Sequence, residues 1–205
     1  MTIQLHNVAK RYNRDWIFRG VTCDFKSGSH YAITGPNGSG KSTLLQILGG
    51  AVTINEGDCT FSINGQAIKP EKIYRHISFC APYLELIEEF TLSEFLVFHQ
   101  SFKPFLNPFD IDFIAEAVQL KHAKHKKINE YSSGMKQRVK LAQCIFSDTP
   151  AVMLDEPCTN LDAAGIALYN DLIQKYCGNR LVIVSSNDPQ EYGFCNESID
   201  IMAYK

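Results

Sequence analysis

The sequence contains no apolar run approaching the ~20 residues needed to cross a bilayer, so the chain is not expected to span a membrane. It also lacks an excess of either charge, with 20 Lys plus Arg against 22 Asp plus Glu and a net charge of −2. No global field recruits nucleic acid or an anionic surface, and any such partner must be met by a local patch. Paired cysteines are missing too: Cys23, Cys59, Cys80, Cys144, Cys158, Cys177 and Cys195 are odd in number, widely spaced and without a C-x-x-C pair. No secretory leader pattern opens the chain at Met1-Thr2-Ile3-Gln4-Leu5-His6, so these residues read as reduced thiols of a cytosolic protein, and no ligand spacing supports a zinc site. Repeats, low-complexity tracts and long linkers are absent. What remains is 205 residues with 45% hydrophobic content, enough for one substantial core.

Against that background one segment stands out. Residues 35 to 43 read Gly-Pro-Asn-Gly-Ser-Gly-Lys-Ser-Thr and fit G-x-x-x-x-G-K-[ST] through Gly35, Gly40, Lys41 and Ser42. Glycines let such a loop curl until successive N–H groups point inward at phosphate oxygens, at the positive end of the helix that the loop opens. Lys41 is placed to reach the β- and γ-phosphates and Ser42 to ligate Mg²⁺, with Asn37, Gly38, Ser39 and Thr43 completing the contact set. The flanks agree: Tyr31-Ala32-Ile33-Thr34 has strand character, and Leu44-Leu45-Gln46-Ile47-Leu48 has the spacing of a helix face stopped at Gly49-Gly50.

Ile3 to Lys10 alternates apolar and polar, as does Gly20 to Phe25 after a polar turn, and Gly57 to Ile63 alternates again before a hairpin signal at Asn64-Gly65. Together these predict an antiparallel subdomain. From about Thr91 to Gln119 the pattern becomes helical, opened by the capping-box spacing of Thr91-Leu92-Ser93-Glu94. Ala151-Val152-Met153-Leu154 is a buried strand ending in Asp155 and Glu156, and Arg180 to Ser186 is another such strand. Buried strands separated by helical stretches predict a parallel sheet with its ligands at the carboxyl ends. Asp155 is there to hold Mg²⁺, and Glu156 to polarise the water that attacks the γ-phosphorus.

The segment Tyr131-Ser132-Ser133-Gly134-Met135-Lys136-Gln137-Arg138, then the acidic strand, then Thr159-Asn160-Leu161-Asp162, resembles the ATP-binding cassette (ABC) transporter nucleotide-binding subunits, of the compact exporter type. The resemblance covers essentially the whole chain. It implies an α/β P-loop NTPase (RecA-like) fold with an antiparallel β subdomain and an inserted helical signature lobe, all in one domain. The core is expected at about 1–85 and 148–205 and the lobe at about 86–147. It implies an ATPase that closes head to tail with a second such subunit, expected to be an identical chain, around two ATP and Mg²⁺. Ser132 and Gly134 match the signature positions that meet the partner's γ-phosphate. Asp162 matches the aspartate that couples the two sites, and Tyr12 the aromatic stacked on adenine. A separate transmembrane permease is expected to dock near Pro82 to Leu86, leaving the chain cytoplasmic and peripheral on the inner membrane face, with no nucleic-acid partner.

Two positions depart from that pattern. Where the family usually has Gln at the start of the lobe this chain has Pro82, and where it usually has His after the last core strand it has Asn187. Asn187 can donate a neutral hydrogen bond to the γ-phosphate but cannot become charged near neutral pH. The alternative is therefore an ATP-gated module with little hydrolysis; a soluble cassette acting on DNA or ribosomes and a small-molecule kinase are rivals further off. Lys121 to Lys127 is the only dense basic run and reads as a solvated face, and the phenylalanines between Phe90 and Phe109 read chiefly as packing of the lobe.

Overall fold

The computed structural model describes all 205 residues. Its centre is a parallel sheet of five strands in the order β6(Ile77–Cys80), β7(Ala151–Asp155), β8(Leu181–Ser185), β3(His30–Thr34), β9(Glu197–Asp200). A four-stranded antiparallel sheet in the order β2(Asp15–Lys26), β1(Thr2–Tyr12), β4(Glu56–Ile63), β5(Gln66–Ala67) packs beside it. The turn between β4 and β5 is Asn64-Gly65 with φ of 51° and 77°, the left-handed pair that a two-residue hairpin requires.

β7 and β8 are buried at every residue, so both of their faces must find apolar partners. Alternation sorts them. Val152, Leu154, Val182 and Val184 join a cluster of 28 buried residues, while Ala151, Met153, Leu181 and Ile183 join another of 20. The larger cluster is completed by α2(Leu92–Phe102), α3(Ile111–Ala117), α4(Ser133–Ile145) and α5(Ala163–Tyr176). The smaller is completed by α1(Lys41–Leu48) and the inner face of the antiparallel sheet through Ile3, Phe18, Val21 and Phe25. The sheet is thus the middle layer of three, and its central strands β7 and β8 carry polar groups only at their ends.

The helical stretch expected from Thr91 to Gln119 is two helices. Lys103-Pro104 and Asn107-Pro108 fall between α2 and α3, and a residue before proline is pushed out of the helical region. The capping box at Thr91 is formed in both directions, with Glu94 N–H donating to Thr91 Oγ1 and Thr91 N–H donating to Glu94 Oε2 at 2.8 Å. Not all phenylalanines of this lobe are internal: Phe95 and Phe105 are buried, whereas Phe98 and Phe102 stack edge-on at the surface with 43% and 73% exposure. In the basic run, Lys121 and Lys124 are neutralised by Glu116 and Asp112.

α4 is pinned at its carboxyl end by Arg180, which is buried without a carboxylate partner. Its guanidinium donates to the carbonyls of Ile145 (2.6 Å), Ser147 (2.9 Å) and Thr149 (2.7 Å), which lie at and just beyond the negative end of the helix dipole. Nearby, His99 on α2 shares a hydrogen bond of 2.8 Å with Ser147 Oγ and stacks on Phe105.

Burial, with the neighbouring Lys103 charge, lowers the His99 pKa from 6.5 to about 4. Unfolded His99 therefore binds a proton between those values while folded His99 does not, so stability falls as pH drops from 6.5 toward 4. Urea midpoints measured at pH 7.5 and about 5 are expected to fall less in His99→Gln than in the parent chain.

Candidate functional site

The carboxyl edge of the parallel sheet carries the chemistry. The loop leaving β3 reaches α1 through Gly35, Gly38 and Gly40, with φ of 140°, 76° and 101°. A Cβ on Gly40 would stand 2.4 Å from Ile17 Cγ2, and one on Gly35 would stand 2.7 Å from Ile201 Cγ2. These two glycines are required both by conformation and by the close approach of β2 and the C-terminal segment.

Lys41 is buried, and its ammonium donates to the carbonyls of Gly35 (3.0 Å) and Pro36 (3.2 Å). The charge is thereby held inside the loop's curl. Ser42 Oγ donates to Asp155 Oδ1 at 3.0 Å, joining the first turn of α1 to the end of β7. Asp155 is buried, which raises its carboxyl pKa; the Ser42 hydroxyl and the Lys41 charge oppose that rise. A hydroxyl and a carboxylate converging on one point beside a cation-bearing loop are hard oxygen donors suited to Mg²⁺.

Glu156 follows at φ +43°, an uncommon conformation for a residue with a side chain. Its N–H donates to Ser185 O at 2.9 Å, and Thr159 Oγ1 donates back to its carbonyl at 2.8 Å. Glu156 lines one cavity together with Asn37, Gly38, Gly40, Lys41, Ser42 and Thr43. Asn187 stands at the rim, where its amide donates to Asn37 Oδ1 at 3.2 Å. Ser39 is buried behind the loop, its N–H donating to Pro36 O. Tyr12 does not line this cavity: it is 47% exposed at the tip of the β1–β2 hairpin, with Lys10 Nζ 4.8 Å from its ring centre. The same hairpin supplies Ile17, which does line it.

Ser132, Gly134 and Asp162 are brought together in a second, separate cavity with His122, Met135 and Arg138. Ser132 caps α4 by accepting from Met135 N–H, and Asp162 caps α5 by accepting from Gly165 N–H at 2.8 Å. A Cβ on Gly134 would lie 3.1 Å from Asn160 O, so the start of α4 sits hard against the loop leading to Asp162. At Pro82 the side chain offers no polar group, but its carbonyl accepts from Lys140 Nζ at 2.7 Å. Lys136 on the same helix donates to Glu88 Oε1 at 2.6 Å.

A glycine-rich loop clasping a lysine, a hydroxyl–carboxylate pair at the end of a parallel strand and a following glutamate define a P-loop nucleotide-binding core. The chain belongs to the ABC transporter family, whose family model matches residues 18–159. It is 33% identical over 195 residues to the uncharacterised ABC transporter ATP-binding protein YhcH of Bacillus subtilis, covering 90% of this chain and 61% of that protein. The chain thus spans about three fifths of that relative's length, although it covers 92% of a second B. subtilis ATP-binding protein, YybJ, at 27% identity over 97% of this chain. Among solved structures, a putative ABC transporter ATP-binding protein of Pyrococcus furiosus superposes with a TM-score of 0.84 over 100% of both chains at 21% identity. This fold contains no helix long and apolar enough to cross a membrane.

Two residues escaped sequence reasoning. Gln137 and Glu191 are buried polar residues that hydrogen-bond the backbone just after Glu156. Gln137 sits inside the signature stretch, but nothing in the sequence pointed to its partner.

Gly40→Ala and Gly38→Ala separate the two demands on the loop, since a Cβ on Gly38 meets nothing within 4 Å. Both variants carry the left-handed strain of about 1–2 kcal/mol, and Gly40→Ala adds the overlap with Ile17. Thermal melts of the nucleotide-free protein are expected to show the larger loss in Gly40→Ala.

Proposed function

We propose that this chain is the ATP-hydrolysing subunit of an ABC transporter, working as a head-to-tail dimer in which each phosphate loop faces the other subunit's signature cavity. One observation carries the reading. Lys41, Ser42 and Glu156 line one cavity with Asp155 bonded to Ser42 behind it, while Ser132, Gly134 and Asp162 line another in the same chain, so each half lacks what a second copy presents. A symmetric pair of copies brings the two halves together twice.

In this reading the loop N–H groups between Asn37 and Thr43 and the positive end of α1 bind the phosphates. Lys41 exchanges its two carbonyl acceptors for β- and γ-phosphate oxygens, and Tyr12 stacks on adenine from the hairpin tip. Ser42 and Asp155 would hold Mg²⁺, which neutralises charge developing on the β- and γ-oxygens. Glu156 orients and deprotonates the attacking water. Asn187, set by Asn37, donates to the γ-phosphate. Ser132 Oγ keeps its proton free for the partner's nucleotide while its lone pair caps α4.

The chain covers 96% of the cytochrome c biogenesis ATP-binding export protein CcmA of Haemophilus influenzae at 26% identity, which supports a compact exporter-type subunit that pairs with a separate membrane chain. For that permease the favoured seat is the apolar depression formed by Ala51, Tyr74, Ile77, Phe79, Tyr83 and Leu84. A second reading, a nucleotide-gated module with slow turnover, is favoured by Pro82, whose only polar atom facing α4 is a carbonyl already engaged by Lys140. Losing one oriented transition-state donor slows an enzyme by about 10²- to 10³-fold without abolishing the reaction.

Turnover per mole of protein is expected to rise with protein concentration and to fall by about 10²- to 10⁴-fold in Glu156→Gln, with ATP binding retained. Turnover that is linear in protein and indifferent to Glu156→Gln would favour the gated module. For the membrane contact, Leu84→Asp is expected to abolish co-purification with the permease while nucleotide binding persists.

A further inference from the structure

The carbonyl of Pro157 and the N–H of Cys158 belong to one trans peptide unit, so they point in opposite directions. Each meets a buried side chain from a different element. Gln137 Nε2, on α4, donates to Pro157 O at 2.7 Å. Cys158 N–H donates to Glu191 Oε1 at 2.7 Å, and Glu191 lies on the short helix α6(Pro189–Tyr192) just past Asn187. Gln137 is 3% exposed and Glu191 5%. The Glu191 carbonyl in turn accepts from the buried Tyr169 hydroxyl at 2.9 Å, anchoring α6 to α5.

A buried carboxylate is costly, and burial raises the Glu191 pKa, with the negative charges of Asp188 and Glu156 adding to the rise. The Ser186 hydroxyl and the Cys158 N–H oppose that rise, and the group is aimed at the backbone N–H of Cys158, two residues beyond Glu156. Glu156 itself is held at φ +43°, a conformation that persists only where its surroundings over-determine it. Its remaining restraints are backbone pairing to Ser185 and local bonds from Thr159.

We propose that Gln137 and Glu191 are positioning residues for Glu156, acting through the Pro157–Cys158 peptide that they grip from its two sides. This rests on the reading of Glu156 as the catalytic base. The grip joins three elements through one buried peptide: the signature helix, the turn bearing Glu156, and the segment after β8 that carries Asn187. It fixes the glutamate's turn and sets the entry of the loop that runs on to Asp162. An acceptor, not a charge, is what Cys158 N–H needs, so glutamine at 191 retains the function and an apolar side chain does not.

The test uses the ATPase in its working assembly, with ATP turnover, ATP affinity and amide exchange over residues 156–162 measured on each variant. Glu191→Met and Gln137→Met are each expected to lower kcat by about 10- to 100-fold with KM for ATP unchanged, the range typical of groups that orient a reacting residue. Glu191→Gln is expected to stay near the parent rate. The double variant is expected to lose little more than either single one, because both hold one peptide. Exchange is expected to quicken over 156–162 in both Met variants. In a Glu156→Gln background, Glu191→Met is expected to cause no further loss of turnover. Unchanged kcat and exchange in Glu191→Met, or equal losses in Glu191→Gln and Glu191→Met, would overturn the proposal. Full activity in Glu156→Gln would instead overturn the assignment of the base, while the exchange data still report on the grip.

Discussion

Two strands without a solvent-facing side determine where everything else goes. Because β7 and β8 are buried along their whole length, their polar groups are confined to the strand ends, and at the carboxyl ends Asp155, Glu156, Ser185 and Asn187 follow one another. Each buried branched side chain in these strands contributes roughly 1.5–3 kcal/mol, so shifting either strand by one residue would exchange the contents of the two apolar clusters. The register that stabilises the core therefore also fixes the height of the acidic pair. β3 is registered against β8 from His30↔Val182 to Ile33↔Ser185, which delivers the phosphate loop to the same level. Ser42 and Asp155 meet across 113 residues of sequence because three parallel strands end together.

The two cavities differ in how their polar groups are satisfied. Around the phosphate loop, Lys41 and Asp155 are buried and answered by neutral partners, carbonyls in one case and a hydroxyl in the other. Neither is locked into an ion pair, so each retains capacity toward a ligand of opposite charge. In the signature cavity Ser132 and Asp162 serve as helix caps on α4 and α5, beside Arg138, whose guanidinium lies 4.0 Å from Asp162, and the Asp162 side chain is 77% exposed. Helix starts that open toward solvent leave N–H groups unsatisfied by the chain itself.

Much of this was written plainly in the sequence. The glycine spacing of 35–40, the alternation of β4, the capping box at Thr91 and the continuous apolar runs of β7 and β8 each carry a local physical rule and fall where expected, whereas the alternation of β1 holds only as far as His6 and is then broken by an irregularity at Asn7, so that Val8, Ala9 and Lys10 are all buried. β9 could not be read that way: Glu197-Ser198-Ile199-Asp200 has one apolar residue and is a strand because it completes the edge beside β3. Gln137 and Glu191 were silent for a similar reason, since their partners are backbone atoms brought near by tertiary folding. Arg180 looked like the polar start of a strand, and its role at the end of α4 depends on a loop some thirty residues earlier. Local rules reach a few residues along the chain; these bonds depend on how the layers stack.

Lys136 and Lys140 lie one turn apart on α4 and face the stretch from Ala81 to Glu88, one held by a carboxylate and the other by the carbonyl of Pro82. A proline cannot slide along such a contact, because its ring fixes the backbone that presents the carbonyl. The signature helix and the neighbouring stretch are therefore harnessed like a crank and its rod: if α4 tilts, the stretch must travel with it or break a charge-assisted bond of about 1.5–3 kcal/mol. The same two bonds place Tyr83 and Leu84 on a stretch fastened at both of its ends to the helix that bears Gln137.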